Sequence, residues 1–120
     1  MKDKSYHFAL NVIRLCNDTM KNRNEYIISK QLMRAGTSIG ANISEASFAQ
    51  SRADFLYKMN IALKEASETQ YWLNILKDIG YIDEKSFSYL IVEVSALLRM
   101  LISTVKTTKT KNLTKEDFSP

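Results

Sequence analysis

Residues 51–80 read SRADFLYKMNIALKEASETQYWLNILKDIG, and this stretch decides the fold. Phe55, Met59, Ala62, Ala66, Thr69, Leu73 and Leu76 recur at alternating steps of four and three. Such a row lies along one side of an α-helix and forms the seam by which helices pack together. Ser51 with Asp54 resembles a capping box in which Asp stands for Glu. Gly80 sits where a left-handed residue closes a helix. The stretch therefore predicts one long helix with a signal at each end.

Three further helices follow on either side. After Gly80, Asp83 starts a helix, with Ile82 and Phe87 placed as a hydrophobic staple; Phe87, Leu90, Val94, Leu97 and Leu101 carry it to near Val105. Over about residues 4–21, Phe8, Val12, Leu15 and Thr19 recur at helical spacing, with Ala9, Ile13, Cys16 and Met20 one position along. The polar run 21–24 ends that helix, and Ser29 or Asn24 caps the next, which runs to about Ser47 with Leu32, Ala35, Ile39, Ile43 and Ala46 on its apolar side. The prediction is an all-α antiparallel up-down-up-down four-helix bundle. It forms a single domain over residues 1–105, followed by a mobile Lys/Thr-rich tail over 106–120 that has lost periodicity.

The last helix carries a second seam of Ile91, Leu98, Ile102 and Val105 beside the first. A stripe this wide fits either a helix buried centrally in its own bundle or one whose extra row packs against a second copy. Gly36 and Gly40 lie within the second helix, where each costs about 1 kcal/mol relative to Ala, which points to another backbone passing close by.

Composition excludes several function classes. The chain has 120 residues, 45% hydrophobic and 25% charged, with one Cys and one His. It is long enough to bury a core without disulfides or metal, and too apolar for disorder. Cys16 has no partner for an internal disulfide, which fits a reducing compartment, and one thiol with one imidazole cannot build a zinc site. No unbroken apolar run reaches about 18 residues, and the amino terminus lacks the apolar core of a signal peptide. The expectation is a soluble cytoplasmic protein with no membrane partner, cofactor, metal or small-molecule substrate.

A polar line runs beside the apolar side of the second helix: Gln31, Arg34, Ser38, Asn42 and Glu45. The third helix offers Lys64, Glu65 and Glu68. If the two faces meet, they form an anion site or an acid–base pair, or a hydrogen-bond network that sets helix register. The network is the favoured reading, because no nucleophile–base pair accompanies the carboxylates. A di-iron carboxylate site fails for want of Glu-x-x-His pairs, His7 being the only imidazole. His7 reads as a surface or helix-end residue and Cys16 as a small core residue, so no catalytic residue is assigned.

Charge is the remaining lead. Seventeen Lys and Arg face thirteen Asp and Glu, a net charge of +4. Candidate nucleic-acid contacts are Lys2, Lys4, Arg14, Lys21 and Arg23, with Lys106, Lys109, Lys111 and Lys115 of the tail. A homo-oligomer would multiply these charges on one surface.

The segment Gln31-Leu-Met-Arg-Ala-Gly-Thr-Ser-Ile-Gly-Ala-Asn-Ile-Ser-Glu-Ala46 resembles the signature of the 23S rRNA-intervening-sequence protein family, Gln-x-x-Arg-x-x-x-Ser-Ile-x-x-Asn-Ile-x-Glu. The runs 54–59, 61–69 and 71–73 resemble that family's third helix, and the match spans about residues 5–105. The resemblance implies an antiparallel four-helix bundle assembled as a homopentameric ring, with Gln31, Arg34, Ser38, Asn42, Glu45, Glu65 and Glu68 as structural or interface groups. The label "ribosomal protein" attached to some members does not imply a component of the ribosome. The family is also similar to the accessory protein of diversity-generating retroelements, a basic pentameric bundle that binds nucleic acid and reverse transcriptase. The expected function is a non-enzymatic scaffold that binds RNA or DNA through a basic surface, or alternatively an adaptor for a protein encoded nearby.

Overall fold

The computed structural model describes the backbone of residues 1–117 and the side chains of residues 1–110. It contains four α-helices, α1 (Lys2–Arg23), α2 (Ile27–Ala46), α3 (Arg52–Asp78) and α4 (Glu84–Asp117), and no strand among the described residues. One core joins them. Phe8, Val12 and Cys16 of α1 meet Leu32 and Ile39 of α2, Met59, Leu73 and Leu76 of α3, and Val94, Leu97 and Leu101 of α4.

The α3 seam is buried over Met59, Ala62, Ala66, Thr69, Leu73 and Leu76, with Phe55 half-buried at its start. Ser51 Oγ accepts the Asp54 amide at 3.0 Å, while the Asp54 carboxylate turns to the Gln50 amide, one residue before the cap. At the other end Gly80 has φ +79°, its amide reaches the Lys77 carbonyl, and Tyr81 reaches the Leu76 carbonyl. This pair of bonds is a Schellman closure, and the left-handed φ is why glycine is required there. Asp83 caps α4 by accepting the Ser86 amide at 2.6 Å, with Ile82 and Phe87 buried on either side.

Two helix boundaries differ from the sequence expectation. Neither Asn24 nor Ser29 caps α2. Glu25 does, from one position further out, its carboxylate accepting the Ile28 amide at 2.6 Å and the Ser29 amide at 3.0 Å. Asn24 instead ends α1 in the left-handed conformation, φ 52°, a role a short amide side chain tolerates. Ser29 is buried, sharing a 2.6 Å hydrogen bond with Thr19. The fourth helix does not end near Val105 but continues to Asp117. Thr104, Thr108 and Thr110 accommodate this by donating to the carbonyls of Met100, Thr104 and Lys106.

The glycines of α2 do admit a neighbour. A Cβ at Gly36 would stand 2.9 Å from Val12 Cγ1, and one at Gly40 would stand 3.4 Å from the backbone of Ser5. The second seam of α4 is only partly covered: Val105 is buried, Ile91 and Leu98 are half-buried, and Ile102 is 37% exposed. Glu84–Thr110 of α4 is nonetheless long and apolar enough to cross a membrane by length and composition alone. Glu93 and Arg99 are the only charges between residues 86 and 105.

Candidate functional site

The polar line of α2 divides into residues that reach α3 and residues that turn back on their own helix. Arg34 is held by two carboxylates of α3: Nη1 lies 3.1 Å from Glu65 Oε2, and Nη2 donates to Glu68. The same Glu68 oxygen accepts the Trp72 indole N–H at 3.0 Å. Further along, Glu45 Oε2 lies 3.1 Å from Lys58 Nζ. Ser38 Oγ donates to the Arg34 carbonyl and Asn42 Nδ2 to the Ser38 carbonyl, so Asn42 does not bridge the two helices. Gln31 is exposed.

The electrostatics are those of paired surface charges. The Arg34 guanidinium, followed by the Trp72 indole, holds the Glu68 carboxyl below its ordinary 4.5, and Glu68 in turn raises Arg34. A carboxyl lowered on folding contributes stability that is full above pH 4.5 and lost as pH falls through its folded value. About half of the Arg34 side chain is exposed, so solvent screens the pairs. Arg34→Ala is therefore expected to cost under about 1 kcal/mol at pH 7, and progressively less as pH falls through the lowered folded value of Glu68, read from urea midpoints along an acid series. A loss of several kcal/mol would show that the network holds the fold together.

Cys16 is fully buried, and burial, with the Glu25 carboxylate adding to it, pushes the thiol up to about 12. Thiolate is the reactive form. The folded protein is expected to leave an aromatic disulfide reagent unreacted at pH 8, and to consume one equivalent once denaturant is added. Prompt reaction without denaturant would contradict the buried placement.

His7 is exposed beside Tyr6. Among the described residues, no three His, Cys, Asp or Glu side chains gather as metal ligands.

The basic candidates do not share one surface. Lys2 and Lys4 lie in the first turn of α1, and the Lys2 ammonium stands 6.0 Å from the centre of the Phe48 ring. Lys21 and Arg23 lie at the far end of α1, about 30 Å away at 1.5 Å per residue. There Arg23 donates to the Gly80 carbonyl at 3.0 Å and stacks on Tyr81. Arg14, between the two ends, donates to Asn11. Lys106 and Lys109 are exposed, whereas the side chains of Lys111 and Lys115 lie outside the described residues. Sequence reasoning missed Arg52, which opens α3 and, with Phe55, faces Thr104, Thr107 and Thr108 across a groove. It also missed Trp72 as the second donor to Glu68.

No curated protein matches the chain. Among solved structures, a protein of unknown function from the S23 ribosomal protein family of Bacteroides thetaiotaomicron VPI-5482 is 47% identical. It covers 88% of this chain and 97% of its own, with a TM-score of 0.86. The family model of the 23S rRNA-intervening sequence protein matches residues 1–103, which include the polar line of α2 and both carboxylates that hold Arg34; the chain belongs to that family.

Proposed function

We propose that the chain is a cytoplasmic, non-catalytic scaffold: an antiparallel up-down-up-down bundle that assembles as a homopentameric ring and binds RNA or DNA through its lysines and arginines. The contacts support the topology. Thr19 meets Ser29 where Val12 approaches Gly36 and Ser5 approaches Gly40, and Glu45 meets Lys58 where Arg34 meets Glu65. Asn11 likewise donates to Glu93, while Arg23 reaches Gly80. The observation that carries the assembly is the partly covered side of α4. Ile91, Leu98 and Ile102 form a heptad-spaced row beside the core, half-buried at Ile91 and Leu98 and exposed at Ile102, and an apolar row left open in this way supports an interaction surface.

The use of the polar groups supports a scaffold rather than a catalyst. Glu65 and Glu68 are engaged by Arg34, Glu45 by Lys58, and the thiol is enclosed. Light scattering tests the assembly directly. The expected mass is five times the chain's 13.8 kDa, and a monomer at micromolar concentration would overturn the reading. A second reading, an adaptor for a protein partner, is favoured by the groove between α1 and α4. Its apolar floor of Leu15 and Leu90 is flanked by Arg14, Asp18, Lys85 and Tyr89.

A further inference from the structure

We infer that the polyanion site is one end of the molecule, where the first turn of α1, the α2–α3 connection and the outer part of α4 meet, and that its ligand is single-stranded nucleic acid. This inference rests on the nucleic-acid reading above and gives it a place. Three contacts bring the elements together. Lys2 lies over Phe48, Lys58 pairs with Glu45, and Arg52 shares a groove with Thr107 and Thr108, in the turn of α4 that also carries the exposed Lys106 and Lys109.

The charge of the chain is concentrated at this end. Lys2, Lys4, Arg52, Lys58, Lys106 and Lys109 stand here against Asp3, Glu45 and Asp54, a net +3 of the chain's +4. Lys111, Lys115, Glu116 and Asp117 cancel, so the rest of residues 1–110 carries only +1. A field gathered in this way attracts phosphates far more strongly than the same charge spread over the surface.

Phe48 selects the kind of polyanion. It sits in the α2–α3 connection, 79% exposed, with the Lys2 ammonium 6.0 Å from its ring centre. A bare aromatic ring beside a cation is a stacking platform for an unpaired base, which duplexes do not offer. Arg52, four residues on from Phe48, opens the groove that Phe55, Thr104, Thr107 and Thr108 line. A strand stacked on Phe48 would lie beside Lys2 and at the end of the molecule that also carries Arg52, Lys106 and Lys109.

The test is fluorescence anisotropy with labelled single-stranded RNA of about 12 nucleotides, on full-length protein whose assembled mass has been checked by light scattering. Two double variants change the charge equally: Lys106→Glu/Lys109→Glu at the proposed end and Lys21→Glu/Lys30→Glu at the other. The first is expected to lower affinity at least tenfold and to flatten the dependence of log affinity on log salt by about 1.4, at about 0.7 per phosphate contact. The second should stay within about twofold. Phe48→Ala, at an exposed position, should cost single-stranded RNA about tenfold through one lost stacked base while leaving duplex RNA unchanged.

Equal losses in the two double variants would overturn the placement while leaving nucleic-acid binding standing. Absence of wild-type binding even at low salt would overturn both. Preference of the wild type for anionic phosphatidylserine vesicles over RNA, lost in Phe48→Ala, would replace the proposed ligand by a lipid surface and overturn the inference.

Discussion

Gly36→Val is expected to destabilise the protein by about 2–3 kcal/mol, a large part of the stability of a domain this size. The Cβ it introduces would lie 2.9 and 3.0 Å from the two γ-carbons of Val12 and 3.3 Å from its β-carbon. Val12 cannot swing away. It is fully buried, and a β-branched residue in a helix has one strongly preferred rotamer. The strain must therefore be relieved by moving α1 off α2. Gly36→Ala introduces the same Cβ but recovers up to about 1 kcal/mol of helix propensity, so its net effect is smaller.

A partner substitution isolates the cause. Val12→Ala alone leaves a cavity and should cost about 2 kcal/mol. Combined with Gly36→Ala, the new methyl fills that space, and the double variant should be more stable than the sum of the two single changes by about 1 kcal/mol or more. Urea midpoints of the three proteins measure this. Strict additivity, or a Gly36→Val protein as stable as the wild type, would show that α1 and α2 do not approach as closely as this at residue 36.

The parts of the fold that were legible in the sequence are those whose signals are local. The α3 seam, the glycine that closes it and the Asp83 cap each depend on residues within one or two turns, and spacing alone reveals them. Glu25 was not legible. A glutamate one position before the cap reaches the same amides through its longer side chain, while the better capping residues Asn24 and Ser29 are taken up by a left-handed turn and a buried hydroxyl pair. The end of α4 was obscured by its Lys/Thr composition, which breaks the apolar period without breaking the helix.

Within the candidate site, spacing placed five residues on one side of α2 but could not say which would cross to α3. Side-chain length decides that. Arg34 and Glu45 are long enough to reach the next helix, whereas Ser38 and Asn42 reach the carbonyl one turn back, as short polar side chains in helices do. The basic residues show the same limit at larger scale. Lys4 and Lys21 read alike in a sequence, and only the helix between them puts them at opposite ends. Arg52 acquires Thr107 and Thr108 across its groove only because α4 passes Val105, so a helix ending there would have hidden it.

Leu98→Glu combined with Ile102→Glu is expected to convert the proposed assembly into 13.8-kDa monomers that keep their helical content. Both side chains flank the core row rather than belong to it: Leu98 is half-buried and Ile102 37% exposed, whereas Leu97 and Leu101 are enclosed. In a lone chain both positions keep contact with water, so the two carboxylates cost far less than one at the enclosed Leu101. Packed against a second copy they would lose that water, at several kcal/mol for each unpaired charge. The proposed ring would repeat the penalty at every contact, which would make the change in mass close to all-or-none. Leu101→Glu is the contrasting substitution: it puts a charge where no solvent reaches and should unfold the chain, seen as loss of the helical circular-dichroism signal. The pair also separates the two explanations of the second seam. If Leu98→Glu/Ile102→Glu unfolded like Leu101→Glu, the row would belong to the chain's own core. If it stayed folded with its assembled mass unchanged, this side of α4 would not be where copies meet, and the α1–α4 groove at Leu15 and Leu90 would become the surface to substitute next.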